Sequence, residues 1–195
     1  MLLNPYRFGG AATTLTWSPT NKNAAVILLN GDTEATKPNA GFVSVRSDVG
    51  HSSGVKQFEL TWSAGQSNVW GGVVNQDYAG YADIIGDSTN TSGCGAVSYR
   101  MSNANWTEHL ESNVNNFAAH GNPIAITDVL GVVVDFTDHQ IRFYKNGVLV
   151  VTRSLFTTLN GTKVWYPAAS VQNGSQIKII GNSFAYPIAG ATSWV

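Results

Sequence analysis

An Asn-Gly pair set between two apolar, β-branched runs constrains this chain more than any other feature. Residues 129–151 read VLGVVVDFTDHQIRFYKNGVLVV, with Asn146-Gly147 as the break. Both central residues of a two-residue type I′ turn need φ > 0, and Asn-Gly meets that demand with least strain, so the stretch predicts a β-hairpin. Such a turn sets Lys145 against Val148, Phe143 against Val150 and Ile141 against Thr152. Ile141, Phe143 and Val150 then share one face, and Arg142, Tyr144 and Leu149 the other. Residues 130–134 form a continuous apolar run, as in a strand buried on both faces, and residues 135–140 supply a polar turn. Three successive antiparallel strands follow, with Ile141, Phe143, Val132, Val133 and Val134 in the core.

The rest of the chain reads as what packs around them. Residues 14–17 (TLTW) have strand chemistry and stop at the turn cluster 18–21 (SPTN). Residues 24–29 form a short strand closed by Asn30-Gly31-Asp32, and residues 41–46 alternate with period two. In residues 55–62 (VKQFELTW), Val55, Gln57, Glu59 and Thr61 oppose Phe58, Leu60 and Trp62. Residues 70–74 are apolar with glycines that permit close approach. Residues 164–171, a second Asn-Gly turn at Asn173-Gly174, and residues 175–180 complete the pattern, with little strand character after Tyr186. Ten or more short strands and no long helix indicate an antiparallel β-sandwich. Residues 75–122 differ: polar turn-formers, interrupted by Tyr78, Tyr81, Tyr99, Trp106 and Phe117, suggest short strands with long loops, or the functional edge. Residues 107–115 are compatible with a helical turn but lack an amphipathic stripe.

Charge narrows the function classes. Only 12% of the 195 residues are charged, about half the usual share, and the net charge is −1. No Lys/Arg cluster exists to neutralise phosphates, so no nucleic-acid partner is expected. No apolar run approaches the roughly 20 residues that span a bilayer, so no membrane insertion is expected. Residues 1–10 (MLLNPYRFGG) do not resemble a secretory signal; an extracellular role would require lysis or assembly into a particle. Residues 1–13 read as an N-terminal arm and 14–195 as one domain.

Catalytic patterns are thin. His51, His109, His120 and His139 lack metal-ligand spacing, with Glu108-His109 and Glu111 the nearest approach, and read as solvated loop residues. Cys94 has no local partner and reads as a buried small residue, and Asp135 and Asp138 are accounted for by turn formation. No enzyme activity, cofactor or metal is expected.

The order of segments resembles the SPRY domain family. Residues 54–62 (GVKQFELTW) look like its "G-x-x-x-F-E-V" strand and residues 69–73 (VWGGV) like the strand that follows. Residues 128–135 (DVLGVVVD) match "D-v-i-G-v-l-l-D", and residues 141–147 (IRFYKNG) match "i-x-F-Y-k-N-G". Residues 165–170 (WYPAAS) and 184–187 (FAYP) resemble the later motifs. Together they span residues 14–187. The resemblance implies a concanavalin-like β-sandwich whose loops at one end form a shallow binding surface. Tyr78, Tyr81 and Trp106 are the candidate contact residues, since aromatics supply rigid contact area. The alternative is that each plugs the base of a long loop. Peptide-binding SPRY adaptors present a hydrophobic-aromatic pair after the "Y-P-A-v-S" strand. Gln172 and Asn173 stand there in this chain, which suits a glycan or a different protein contact.

A second resemblance is Asn4-Pro5-Tyr6-Arg7-Phe8-Gly9, which is similar to an N-terminal peptide of tailed-bacteriophage virion proteins. It implies a structural or adhesive virion protein: tail fibre, receptor-binding or head decoration. Tyr6, Arg7 and Phe8 would anchor it to other virion proteins, and the domain would meet neighbours or a host-surface protein or glycan. A free SPRY adaptor and a lectin-type glycan binder are the alternatives. Exposed sheet edges also allow a homo-oligomer.

Overall fold

The computed structural model describes residues 13–63, 69–82, 84–85, 95–101, 106–111, 114–119, 123–154 and 163–195, with only the backbone described across 101–119. Fifteen strands run through these residues. They are β1 (Trp17–Lys22), β2 (Ile27–Leu29), β3 (Glu34–Thr36), β4 (Val43–Ser47), β5 (Val55–Trp62), β6 (Val69–Asn75) and β7 (Ala96–Met101). There follow β8 (Trp106–Glu111), β9 (Val114–Ala119), β10 (Leu130–Asp135), β11 (Gln140–Lys145), β12 (Val148–Ser154), β13 (Trp165–Val171), β14 (Gln176–Ile180) and β15 (Thr192–Ser193). One sheet has the order β1-β4-β13-β6-β7-β8-β9. The other runs β12-β11-β10-β5-β14-β3-β2, with β15 beside β5. The two sheets form an all-β sandwich of the expected class. No helix of the described residues is long and apolar enough to cross a membrane.

Period-two alternation aims one face of each sheet at the other. Val45, Val73, Val97 and Ala169 from the first sheet meet Phe58, Leu60, Val132, Val134 and Phe143 from the second in one core cluster. The central hairpin forms as the Asn-Gly pair demands, with φ of 48° at Asn146 and 80° at Gly147. Lys145 pairs with Val148 and Tyr144 with Leu149, but a β-bulge follows. Phe143 then lies against Val151 and Ile141 against Arg153. The expected partners of Phe143 and Ile141, Val150 and Thr152, are therefore wrong by one residue. Residues 148–151 (VLVV) carry no polar-apolar alternation to fix register. The bulge lets both Val150 and Val151 pack against the core.

Other expectations also need correction. The cluster 18–21 lies within β1 as an irregularity, with Trp17 against Ser47 and Lys22 against Val45. There Ser18 Oγ accepts the Asn21 N–H at 2.9 Å. Residues 107–111 and 114–115, expected as a helical turn, are instead in the antiparallel strands β8 and β9, with His109 against Asn116.

The tail departs furthest from its reading. Thr192 and Ser193 pair parallel with Lys56 and Gln57. Trp194 is fully buried, edge-on to Phe58 at 5.1 Å and to His51 at 5.3 Å. Its indole N–H donates to the Val49 carbonyl at 2.9 Å. His51 is accordingly a half-buried packing residue whose Nε2 meets the Trp194 carbonyl at 2.6 Å, not a solvated loop histidine. Gln57 and Glu59 alternate away from the core as expected, yet both are buried. Glu59 accepts the N–H groups of Ala185 and Tyr186, each at 2.8 Å. Gln57 accepts from Ile188 N–H at 2.9 Å and donates to the Tyr186 carbonyl at 2.9 Å. Residues 185–194 thus form a strap: 185–188 are clamped by two polar side chains on the outside of β5, and 192–194 run beside it and into the core.

Candidate protein-contact face

The outer face of the first sheet carries its own packing cluster, built on Trp70, Val74, Ala96 and Ala168. These alternate with Val69, Val73, Val97 and Ala169, which point into the main core. Register sets Arg46 beside Ala168, Ala168 beside Gly72 and Gly72 beside Ser98. The next row is Ser44, Ser170, Trp70 and Arg100. Small side chains in the centre leave a shallow trough between larger ones.

The chain fills part of that trough itself. Asn75 starts the covering segment, accepting the Asp77 N–H on Oδ1 at 3.0 Å and the Tyr78 N–H on its carbonyl at 3.1 Å. Ile85, fully buried, sits over the small residues. Its N–H donates to Ser170 Oγ and its carbonyl accepts from Ser98 Oγ, both at 2.8 Å. Ser44 Oγ meets Ser170 Oγ at 2.8 Å, and Ser44 N–H donates to the Tyr81 carbonyl at 2.9 Å. Two serine hydroxyls, those of Ser98 and Ser170, and the backbone N–H of Ser44 therefore supply the partners that a buried loop backbone requires.

At one end of the trough a cationic and aromatic rim remains partly exposed. The Arg46 guanidinium lies 3.7 Å from the centre of the Tyr166 ring, and its Nε–H donates to the Tyr81 hydroxyl at 2.9 Å. On Gly50, a Cβ would come within 2.6 Å of the same Tyr166 ring, so the absence of a side chain there admits the ring. Arg100 lies 5.4 Å from the Trp70 ring. Lys163 pairs with Asp77 at 2.6 Å, tying the approach to β13 to the covering segment. No carboxylate lies within ion-pair distance of Arg46 among the described residues.

The candidate residues fall in separate places. Tyr81 is half-buried on the rim. Tyr78, 5% exposed, is its base: the rings meet edge-on at 5.3 Å, and the Tyr78 hydroxyl donates to the Gly80 carbonyl. Tyr78 thus fits the loop-plug alternative. Gln172 and Asn173 lie at the far end of β13. Gln172 is buried and its carbonyl accepts the Ser175 N–H, while Asn173, at φ 50°, donates to the Asn39 carbonyl. Trp106 opens β8 opposite Ala119. Its side chain lies outside the described residues, as do Tyr6, Arg7, Phe8, Cys94 and the side chains of His109 and His120. His139 is an exposed turn residue at φ 51°. No three His, Cys, Asp or Glu gather as metal ligands among the described residues.

Arg46 and Tyr166 escaped the reading of the sequence. Each sits in a strand whose alternation marks it only as outward-facing. Their meeting depends on β4 and β13 being neighbours, across more than a hundred residues of chain.

Comparison with protein families matches the SPRY domain over residues 55–183. Comparison with curated proteins gives no match. Among solved structures, the chain resembles the PSpry domain of TRIM65 at a TM-score of 0.65 and 15% identity, covering 87% of this chain and 93% of that one. It also resembles the SPRY domain of human HERC1, at 0.64 and 17%, covering 86% of this chain and 99% of that one. Stonustoxin matches at 0.58 and 19% over 86% of this chain, which spans 27% of the toxin chain. At these identities the structures speak for the fold.

Proposed function

The chain belongs to the SPRY domain family, a family of protein-interaction modules, and from that premise we propose that it is a non-enzymatic protein-contact module. Its contact face is the outer surface of the seven-stranded sheet. One observation carries this: Arg46, Tyr81 and Tyr166 form a rim locked in place before any partner arrives, yet partly exposed. A locked rim loses little side-chain freedom on binding, which favours affinity at a small surface.

The same proposal places the module in a tailed-bacteriophage particle, as a tail fibre, receptor-binding or head decoration protein. Support comes from the hexapeptide Asn4-Pro5-Tyr6-Arg7-Phe8-Gly9, with Tyr6, Arg7 and Phe8 as the anchor. The low charge and the surface rich in Gly, Asn, Ser and Thr agree with that setting. Mass spectrometry of gradient-purified particles from the source culture should find the chain. Deleting residues 2–12 should leave a folded domain absent from those particles. Continued incorporation of the truncated chain would remove the anchoring role, and absence of the intact chain would remove the particle setting.

A further inference from the structure

We infer that Arg46 is a carboxylate-recognition residue, seating an Asp or Glu side chain of a protein partner on the contact face; this rests on the proposed protein-contact reading. Arg46 is held from two sides: its Cζ lies over the Tyr166 ring, 3.7 Å from the ring centre, and its Nε–H is committed to the Tyr81 hydroxyl. Nη1 is shielded and finds no hydrogen-bond acceptor among the described residues, which leaves Nη2 as the accessible end. Three other cations of the described residues are met by carboxylates: Arg142 by Asp135 at 2.8 Å, Lys145 by Asp128 at 2.9 Å and Lys163 by Asp77 at 2.6 Å. Arg46 has aromatic neighbours in place of a counter-charge.

A guanidinium held this way has already lost its side-chain freedom, so a planar carboxylate meets a pre-set donor edge. Stacking on a tyrosine shields the charge from water on one side and strengthens what the other side can bind. A purely structural arginine would gain as much from a neighbouring carboxylate, and the described residues provide none within reach. The occupant that fits is a partner's loop that places one acidic side chain at Nη2 with its backbone along the rim.

The test uses the full chain, labelled with nitrogen-15, and sodium acetate as the stand-in for an aspartate side chain. Ionic strength is held constant with sodium chloride, and acetamide serves as the neutral control. The Arg46 Nε–H signal is identified by its loss in Arg46→Lys. Acetate should move that signal saturably and further than the Arg142 signal, whose guanidinium is already paired, while acetamide leaves it in place. In Tyr166→Leu the acetate shift should shrink, with the amide spectrum otherwise preserved. An Arg46 signal that moves no further than Arg142, or equally with acetamide, overturns the assignment. If acetate fails but a photo-cross-linking residue at position 82, exposed beside Tyr81, still captures a defined partner, the contact face stands and only the carboxylate falls. Failure of both removes the face as well.

Discussion

Glu59 is the residue whose environment departs most from its sequence appearance. In the alternation of residues 55–62 it reads as a solvent-facing acid, yet it is fully buried and accepts two backbone N–H groups of the strap. Glu59→Gln puts an amide NH₂ against one of those donors and should cost roughly 1–3 kcal/mol, as for a buried donor left unsatisfied. Urea unfolding checks this, and an unchanged midpoint would show that the strap finds other partners. Asn146 is a second case with two tasks. Besides adopting φ 48°, its Oδ1 accepts the Val129 N–H at 2.8 Å and its Nδ2 donates to Asp128 Oδ1 at 2.7 Å. Burial alone would raise the Asp128 carboxyl, but the Ala125 N–H, Lys145 and Asn146 outweigh it and hold it below the usual carboxylate value. A carboxylate with a depressed folded value stabilises the fold above its unfolded value, near 4, and that contribution is lost as pH falls through the lower folded value. Melting temperatures of wild type and Asp128→Asn should therefore converge as pH drops below about 4, and a gap that widens there would contradict this.

Among the elements, the strap and the central hairpin differ in how far they could be read. The hairpin was legible because its turn chemistry and apolar runs are local, and β5 was legible from its alternation. The bulge in β12 was not, since four adjacent apolar residues satisfy two registers equally. The strap was missed because a two-residue parallel strand and an indole seat have no period to detect, and the anchors Gln57 and Glu59 lie more than a hundred residues upstream. Trp194→Ala should lower stability by about 3–5 kcal/mol, the cost of emptying a buried aromatic site, again read by urea unfolding. Val148→Ser, on a residue 69% exposed, should change stability by no more than about 0.5 kcal/mol. Equal effects from the two would mean that the strap is not part of the cooperative fold. In the contact face, Tyr81 was legible as a loop aromatic. Arg46, Tyr166 and the three serines were not, because only the order β4-β13-β6-β7 assembles them.

The molecule as a whole offers two surfaces to a partner. One is the outer face of the seven-stranded sheet, with its pre-set rim. The other is the β12 edge of the second sheet, where Val148 and Leu149 are the most exposed large apolar side chains among the described residues. An unpaired edge strand invites association, so the assignment of function to the first face excludes this as the main contact. A photo-reactive phenylalanine analogue placed at position 82, exposed beside Tyr81, and separately at position 149, distinguishes them in the source culture, with melting temperatures confirming that both proteins fold. Illumination should give one discrete adduct with a second protein from position 82 and none from position 149; a discrete adduct from position 149 with none from position 82 would contradict the contact face.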